Sequence, residues 1–200
     1  MSRKLIDNAR ERLSAETGYV SHPWSARYTV ALIYPNTYHQ AMSNLGFQTV
    51  YHLLNSRDDC LCERFFLPDS VDLIEHEATG YPLFSLETQR PLQDFDLIAF
   101  SVSFENDYLH LPTIFRLGKI PLFAAERDET HPLILLGGVC AFLNPEPLAD
   151  IVDLVSVGEA EPILPDLFDV LVSLKKDRER AFDQLVALPG VYLPSRYEIK

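Results

Sequence analysis

Apolar and polar positions along the chain follow two alternating rhythms. Residues 28 to 34, YTVALIY, are aliphatic, aromatic or β-branched almost throughout, as a strand covered on both faces must be. From Gly46 the period lengthens, and Gly46, Val50, Leu53 and Leu54 fit one helical face that Asn55-Ser56 ends. The alternation then recurs. A strand is expected from Cys62 to Leu67, and a short helix from Asp69 to Ala78 with Ser70 at its N-cap position. Leu97 to Val102 reads as the third strand, followed by a helix from Asn106 to Leu117 with Tyr108, Leu111 and Phe115 on one side. HPLILLGG gives a fourth strand and IVDLVSVGEAE a fifth. Pro162 then opens a helix carrying Leu164, Leu167, Phe168 and Leu171 along one face.

Strands alternating with helices imply parallel pairing through crossovers. The expected architecture is therefore α/β: a doubly wound, flavodoxin-like parallel sheet of five strands in the order 2-1-3-4-5. Residues 1–26 read as a lead-in, with a charged helix over 3–16 that places Leu5, Ala9 and Leu13 on one side. Residues 27–175 form the domain. Residues 176–200 form a tail, in which a charged helix over Lys176 to Leu188 and a Pro-Gly turn precede VYLPSRYEI, a strand reaching toward something else. There is no internal repeat and no low-complexity tract.

Composition narrows the function. The 200 residues are 47% hydrophobic, enough for a real core, and a net charge of −12 with a pI near 4.8 repels polyanions. No nucleic-acid partner is expected. The first residues lack an apolar signal segment and no run is long enough to span a membrane, so the expected location is the cytoplasm. Cys60, Cys62 and Cys140 do not form a disulfide framework, and one Cys-x-Cys is poor metal spacing; they read as buried strand thiols.

In open parallel sheets a ligand binds outside the carboxyl ends of the strands, at the point where strand order switches. The loops to consider are therefore PNTYHQAMSNLG, SVSFEN, GGVCAFLNPEP and GEAEP. A phosphoacceptor domain needs carboxylates after strand one and an Asp closing strand three, whereas the chain has Tyr34-Pro35-Asn36 and Ser101-Val102-Ser103. A dinucleotide fingerprint needs three glycines where only Gly46 is present, and no phosphate-cradling Gly-Lys-Ser/Thr occurs.

Taken together, YPNTYHQAMSNLGFQTVYHLLN, PLFSLETQRPLQDFDLIAFSVSFEND, LLGGVCAFLNPEPLADIVDLVSVGEAEPIL and LVALPGVYLP resemble the N-terminal, cobalamin-binding-like region of a family of radical SAM proteins. The resemblance covers about residues 25 to 195. In that family a radical SAM barrel follows, opening with a Cys-x3-Cys-x2-Cys motif for a 4Fe-4S cluster that cleaves S-adenosylmethionine. No such motif is present here, so the resemblance assigns the cluster, S-adenosylmethionine and catalysis to a C-terminal barrel outside this chain, and that barrel becomes the expected partner. For these residues it implies a cobalamin pocket.

Better-studied cobalamin modules carry Asp-x-His-x-x-Gly after strand one. Aligning Gly46 with the motif glycine places Ser43 at the histidine and Ala41 at the aspartate, so the usual cobalt ligand is missing. His39, in the same loop, is the alternative imidazole. Asn36, Tyr38, His39, Ser43 and Gly46 are the candidates from this first turn. Ser101 and Ser103 match the Ser-x-Leu position, Gly137 and Gly138 the Gly-Gly, and Gly158 and Glu159 the stretch after strand five. Each also has a structural reading, from strand-end hydroxyls to acidic residues at a helix start. Tyr38, Met42 and Phe104 are candidates for an apolar corrin surface, and Asn144-Pro145-Glu146-Pro147 for a rigid extended elbow. Two alternatives stand beside the cofactor module: a domain that keeps the fold without the cofactor and serves for docking or substrate presentation, and a free-standing binder of another flat ligand.

Overall fold

The computed structural model describes residues 2–24 and 27–197. Its sheet has six strands, β1 (Tyr28–Tyr34), β2 (Cys60–Phe66), β3 (Leu97–Ser101), β4 (Leu133–Gly137), β5 (Leu154–Ser156) and β6 (Val191–Tyr192), in the order β2-β1-β3-β4-β5-β6. The first five are mutually parallel, as expected. The sixth corrects the sequence reading. Tyr192 and Val191 pair antiparallel with Val155 and Ser156, so the tail adds an edge strand to this same sheet; Glu198 and Ile199 lie outside the described residues.

Period-two alternation distributes the strand side chains between two apolar layers. Val30, Leu32, Cys62, Leu97, Ala99 and Leu135 face one layer, completed by α3 (Leu45–Asn55), α7 (Ala160–Ser173) and α8 (Arg178–Leu185). Ala31, Ile33, Phe65, Ile98, Phe100 and Ile134 face the other, completed by α5 (Leu111–Gly118) and α6 (Val139–Leu143). Each buried Leu, Ile or Phe contributes about 2 kcal/mol relative to exposure, against ~0–1 kcal/mol for an exposed ion pair. The two layers, not the surface charges, hold the sheet together.

Other differences from the sequence reading have local causes. Asp69, not Ser70, caps α4 (Ser70–Thr79), its carboxylate accepting from Val71 N at 3.1 Å and Asp72 N at 3.0 Å. The expected single helix after β3 is two pieces, a 3₁₀ segment over Glu105–His110 and then α5, with Pro112 at the start of the latter. A five-residue helix, α2 (Tyr38–Met42), occupies the turn read as loop. The tail helix is α8 alone, shorter than Lys176 to Leu188. Cys60 and Cys62 are buried in β2, but Cys140 is buried on α6 rather than in a strand.

The edge strand β2 carries two adjacent charges, Glu63 and Arg64, that are fully buried. Arg64 Nε donates to Glu87 at 2.6 Å and Nη2 to Glu16 at 2.7 Å, while its guanidinium lies 4.7 Å from the Tyr51 ring centroid. Glu87 also accepts from Arg64 N, and Leu86 N donates to Arg64 O, so the loop over residues 83–92 occupies this edge of the sheet. Burial drives the Glu87 carboxyl up to about 7 against the pull of Arg64. Glu63 accepts from Trp24 Nε1 at 3.0 Å and from Thr88. The N-terminal segment, with α1 (Arg3–Ser14), is thereby fastened to the domain.

At the carboxyl end of the sheet the loops after β3 and β4 meet. Val102 N donates to Gly137 O at 2.9 Å and Cys140 N to Val102 O at 3.3 Å. Gly138 has φ +100, and a Cβ there would lie 2.4 Å from Val102 O. A side chain is excluded both by conformation and by space. Two outcomes are expected in denaturant titrations. Arg64→Ala, which strands the buried Glu87 carboxylate and the partly buried Glu16, lowers stability by ~3–5 kcal/mol, and a loss below about 1 kcal/mol would mean that the network is solvated. Gly138→Ala costs about 1–3 kcal/mol, whereas Gly137→Ala, whose Cβ would meet only Phe100 O at 3.9 Å, costs less.

Candidate functional site

The cleft expected from the topology is present. It is a hollow of about 700 Å³ outside the carboxyl ends of β3, β4 and β5, within the ordinary range for ligand clefts. One wall is the start of α3, with Leu45, Gly46, Thr49 and Val50. The other walls are Ser101 and Ser103, then Gly138, Val139 and Phe142, then Gly158 to Glu161. Of the sequence candidates, the structure brings Gly46, Ser101, Ser103, Gly138, Gly158 and Glu159 together at this cleft. Gly137 ends β4 beside it.

The residues of the first turn separate into other roles. Asn36, His39 and Ser43 line an adjoining hollow of about 480 Å³, together with Phe104. Ser43 Oγ donates to His39 O at 2.7 Å, closing α2. Asn36 Nδ2 donates to Asp107 at 2.8 Å and its Oδ1 accepts from Thr37 N, so this side chain braces the turn against the loop after β3. Tyr38 points toward the N-terminal segment: its hydroxyl donates to Glu16 at 2.8 Å, its ring packs edge-on against Phe66, and burial with that bond raises it to about 12. Met42 is engaged by Arg64. His39 is exposed on α2 and does not line the cleft.

Asn44 is the residue that the sequence reading missed. It caps α3 by accepting from Phe47 N at 2.9 Å, and its Nδ2 donates to Ser103 Oγ at 3.0 Å. One side chain thus sets where the helix starts and ties the first loop to the third. An Asn directly before an apolar periodic run is the signal that could have found it. Ser103 is therefore engaged, whereas the hydroxyl of Ser101 makes no hydrogen bond among the described residues. Gly158 has φ +140, which turns the chain from β5 into α7 and leaves Glu159 at the N-cap position. The Asn144 elbow is extended only at Asn144; Glu146 opens a 3₁₀ turn although it precedes Pro147.

Chemically, the cleft offers hydroxyls, two carboxylates and apolar side chains, with no Lys or Arg in its lining. It suits a neutral or cationic group with hydrogen-bond donors and does not suit a pyrophosphate. The donors for an iron-sulfur cluster do not fit. Burial raises Cys60 to about 12 and lifts Cys62 and Cys140 above the usual thiol range. Among the described residues no group of three His, Cys, Asp or Glu could hold a metal ion. No helix among them is long and apolar enough to cross a membrane.

Comparison with known proteins gives one family. The model for radical SAM proteins, N-terminal region, matches residues 46–194, which include every cleft residue after Leu45 and exclude Asn36, Tyr38, His39 and Ser43. No curated protein and no solved structure matches the chain. With an α/β sheet of this order and a family match across most of its length, the chain belongs to the N-terminal region family of radical SAM proteins.

Proposed function

We propose that this chain is the N-terminal module of a radical SAM iron-sulfur enzyme and that its cleft takes cobalamin. The observation that supports the reading best is the lining itself. A corrinoid is a large flat ring with amide N–H donors at its edge and a cation at its centre. The cleft has Ser101, Thr49 and Glu159 to accept such donors, and Leu45, Val50 and Phe142 to cover an apolar face. When bound, cobalamin supplies a methyl carrier or an electron-transfer centre. The residues of this chain would bind and orient it and shield one side from water; His39, in the adjoining hollow, would not serve as the cleft's metal ligand.

The 4Fe-4S cluster, S-adenosylmethionine and the radical reaction belong in this reading to a barrel C-terminal to the module, which is its partner. Three free, buried thiols suit a reducing compartment, in keeping with the cytoplasm.

Titration of the protein with hydroxocobalamin, followed by visible absorption and by heat, tests the assignment. Saturable binding is expected, weakened at least ~10-fold by Ser101→Leu, which fills the cleft at a cost of about 1.4 kcal/mol or more, and little changed by His39→Ala. Absence of binding up to about 1 mM, the level corresponding to roughly −4 kcal/mol, would count against a corrinoid site. Loss on His39→Ala with Ser101→Leu unaffected would move the site to the adjoining hollow.

A further inference from the structure

Six of the twelve large apolar side chains exposed among the described residues lie in the segments that follow the carboxyl ends of the strands, including the start of α3 and α6: Leu45, Phe104, Leu109, Val139, Phe142 and Leu143, between 50% and 79% exposed. A single exposed Leu means little, whereas a concentration on one face of a fold marks a contact surface. The cleft brings Leu45, Val139 and Phe142 together, and the Cys140 N to Val102 O bond holds α6 against the loop that carries Phe104.

The charge around this patch has one sign. Residues 35–44, 102–110, 138–149 and 157–162 contain no Lys or Arg, yet they carry Glu105, Asp107, Glu146, Glu159 and Glu161. Asp107 is buried and Glu146 accepts from Tyr192. Glu105, Glu159 and Glu161 are exposed and enter no ion pair among the described residues. Elsewhere on the molecule Arg12, Arg57, Arg116, Lys175 and Arg196 pair with surface carboxylates. The carboxyl-end face therefore combines exposed apolar groups with uncompensated negative charge.

From this pairing we infer that the carboxyl-end face docks a basic protein surface with an apolar centre. The apolar side chains supply the buried middle of such an interface, and the unpaired glutamates supply a rim that attracts cations and repels nucleic acid and anionic lipid. The inference gives chemical content to the docking alternative and does not depend on corrinoid binding; because Leu45, Phe142 and Glu159 also line the cleft, a docked surface and a corrinoid compete for them.

The test uses a fluorescent amphipathic Lys/Leu helical peptide and its Glu/Leu counterpart as probes, with anisotropy as the readout. The Lys/Leu peptide binds and the Glu/Leu peptide does not. Phe142→Ser weakens binding on the order of tenfold or more, as loss of an anchor does. Glu159→Gln with Glu161→Gln weakens it severalfold and flattens its salt dependence. Asp94→Asn with Glu129→Gln, an equal charge change ahead of β3 and β4, leaves it unchanged. Ser101→Leu weakens hydroxocobalamin binding at least ~10-fold but keeps peptide binding, so failure of the corrinoid reading and of this one are separable. Four results would overturn the inference: no binding of either peptide, a preference for Glu/Leu, equal losses in the face and control variants, or a sedimenting dimer that Phe142→Ser dissociates.

Discussion

Burial of the central strands on both faces is the constraint from which the rest follows. β1, β3 and β4 present apolar side chains to two layers at once, so none of their interior positions can carry an unpaired polar group without a cost of several kcal/mol in solvation. Chemistry is displaced to the strand ends. There, Ser101 and the short loops after β4 and β5 meet the start of α3, and the cleft forms where helices and strands diverge. The one place where charge enters the sheet is its edge. At β2, Glu63 and Arg64 are matched by Trp24, Thr88, Glu16 and Glu87, groups supplied by the segment before β1 and the loop before β3.

The cleft's shape rests on small contacts with large leverage. Gly138 allows the loop after β4 to lie against Val102, and Asn44 ties the beginning of α3 to Ser103. Neither contact involves a reactive group. Together they fix the separation of the walls, which gives a rigid frame on which hydroxyls and carboxylates are presented. The absence of cations from this lining connects sequence to ligand class, because phosphate-rich ligands require the positive charge that these loops omit.

Much of the fold was legible because its signals are local and strong. YTVALIY gives β1 to the residue, and the parallel pairing of the first five strands follows from their alternation with helices. β6 was not legible as part of this sheet, since two residues pairing antiparallel at an edge carry no periodicity of their own. The split at Pro112 and the five-residue α2 were hidden for a similar reason: a single turn leaves too short a pattern. At the site, topology pointed to the right loops and the small residues in them. It gave no means to separate Ser101, which lines the cleft, from Tyr38, which turns toward Glu16, because side-chain direction at a strand end or in a one-turn helix depends on distant partners. Nor does sequence distinguish an apolar residue such as Phe142, on the short α6, that stays exposed from one that joins the core.

Amide hydrogen exchange with and without hydroxocobalamin tests the central claim, that the carboxyl-end cleft is the ligand site, most directly. Exposed loop amides exchange through small local openings, so a bound group should slow them where it sits. The account predicts slower exchange in residues 44–50, 101–103, 138–142 and 158–161. Protection confined to the hollow beside β6 lined by Arg127, Tyr192 and Tyr197, or no protection at all, would contradict it.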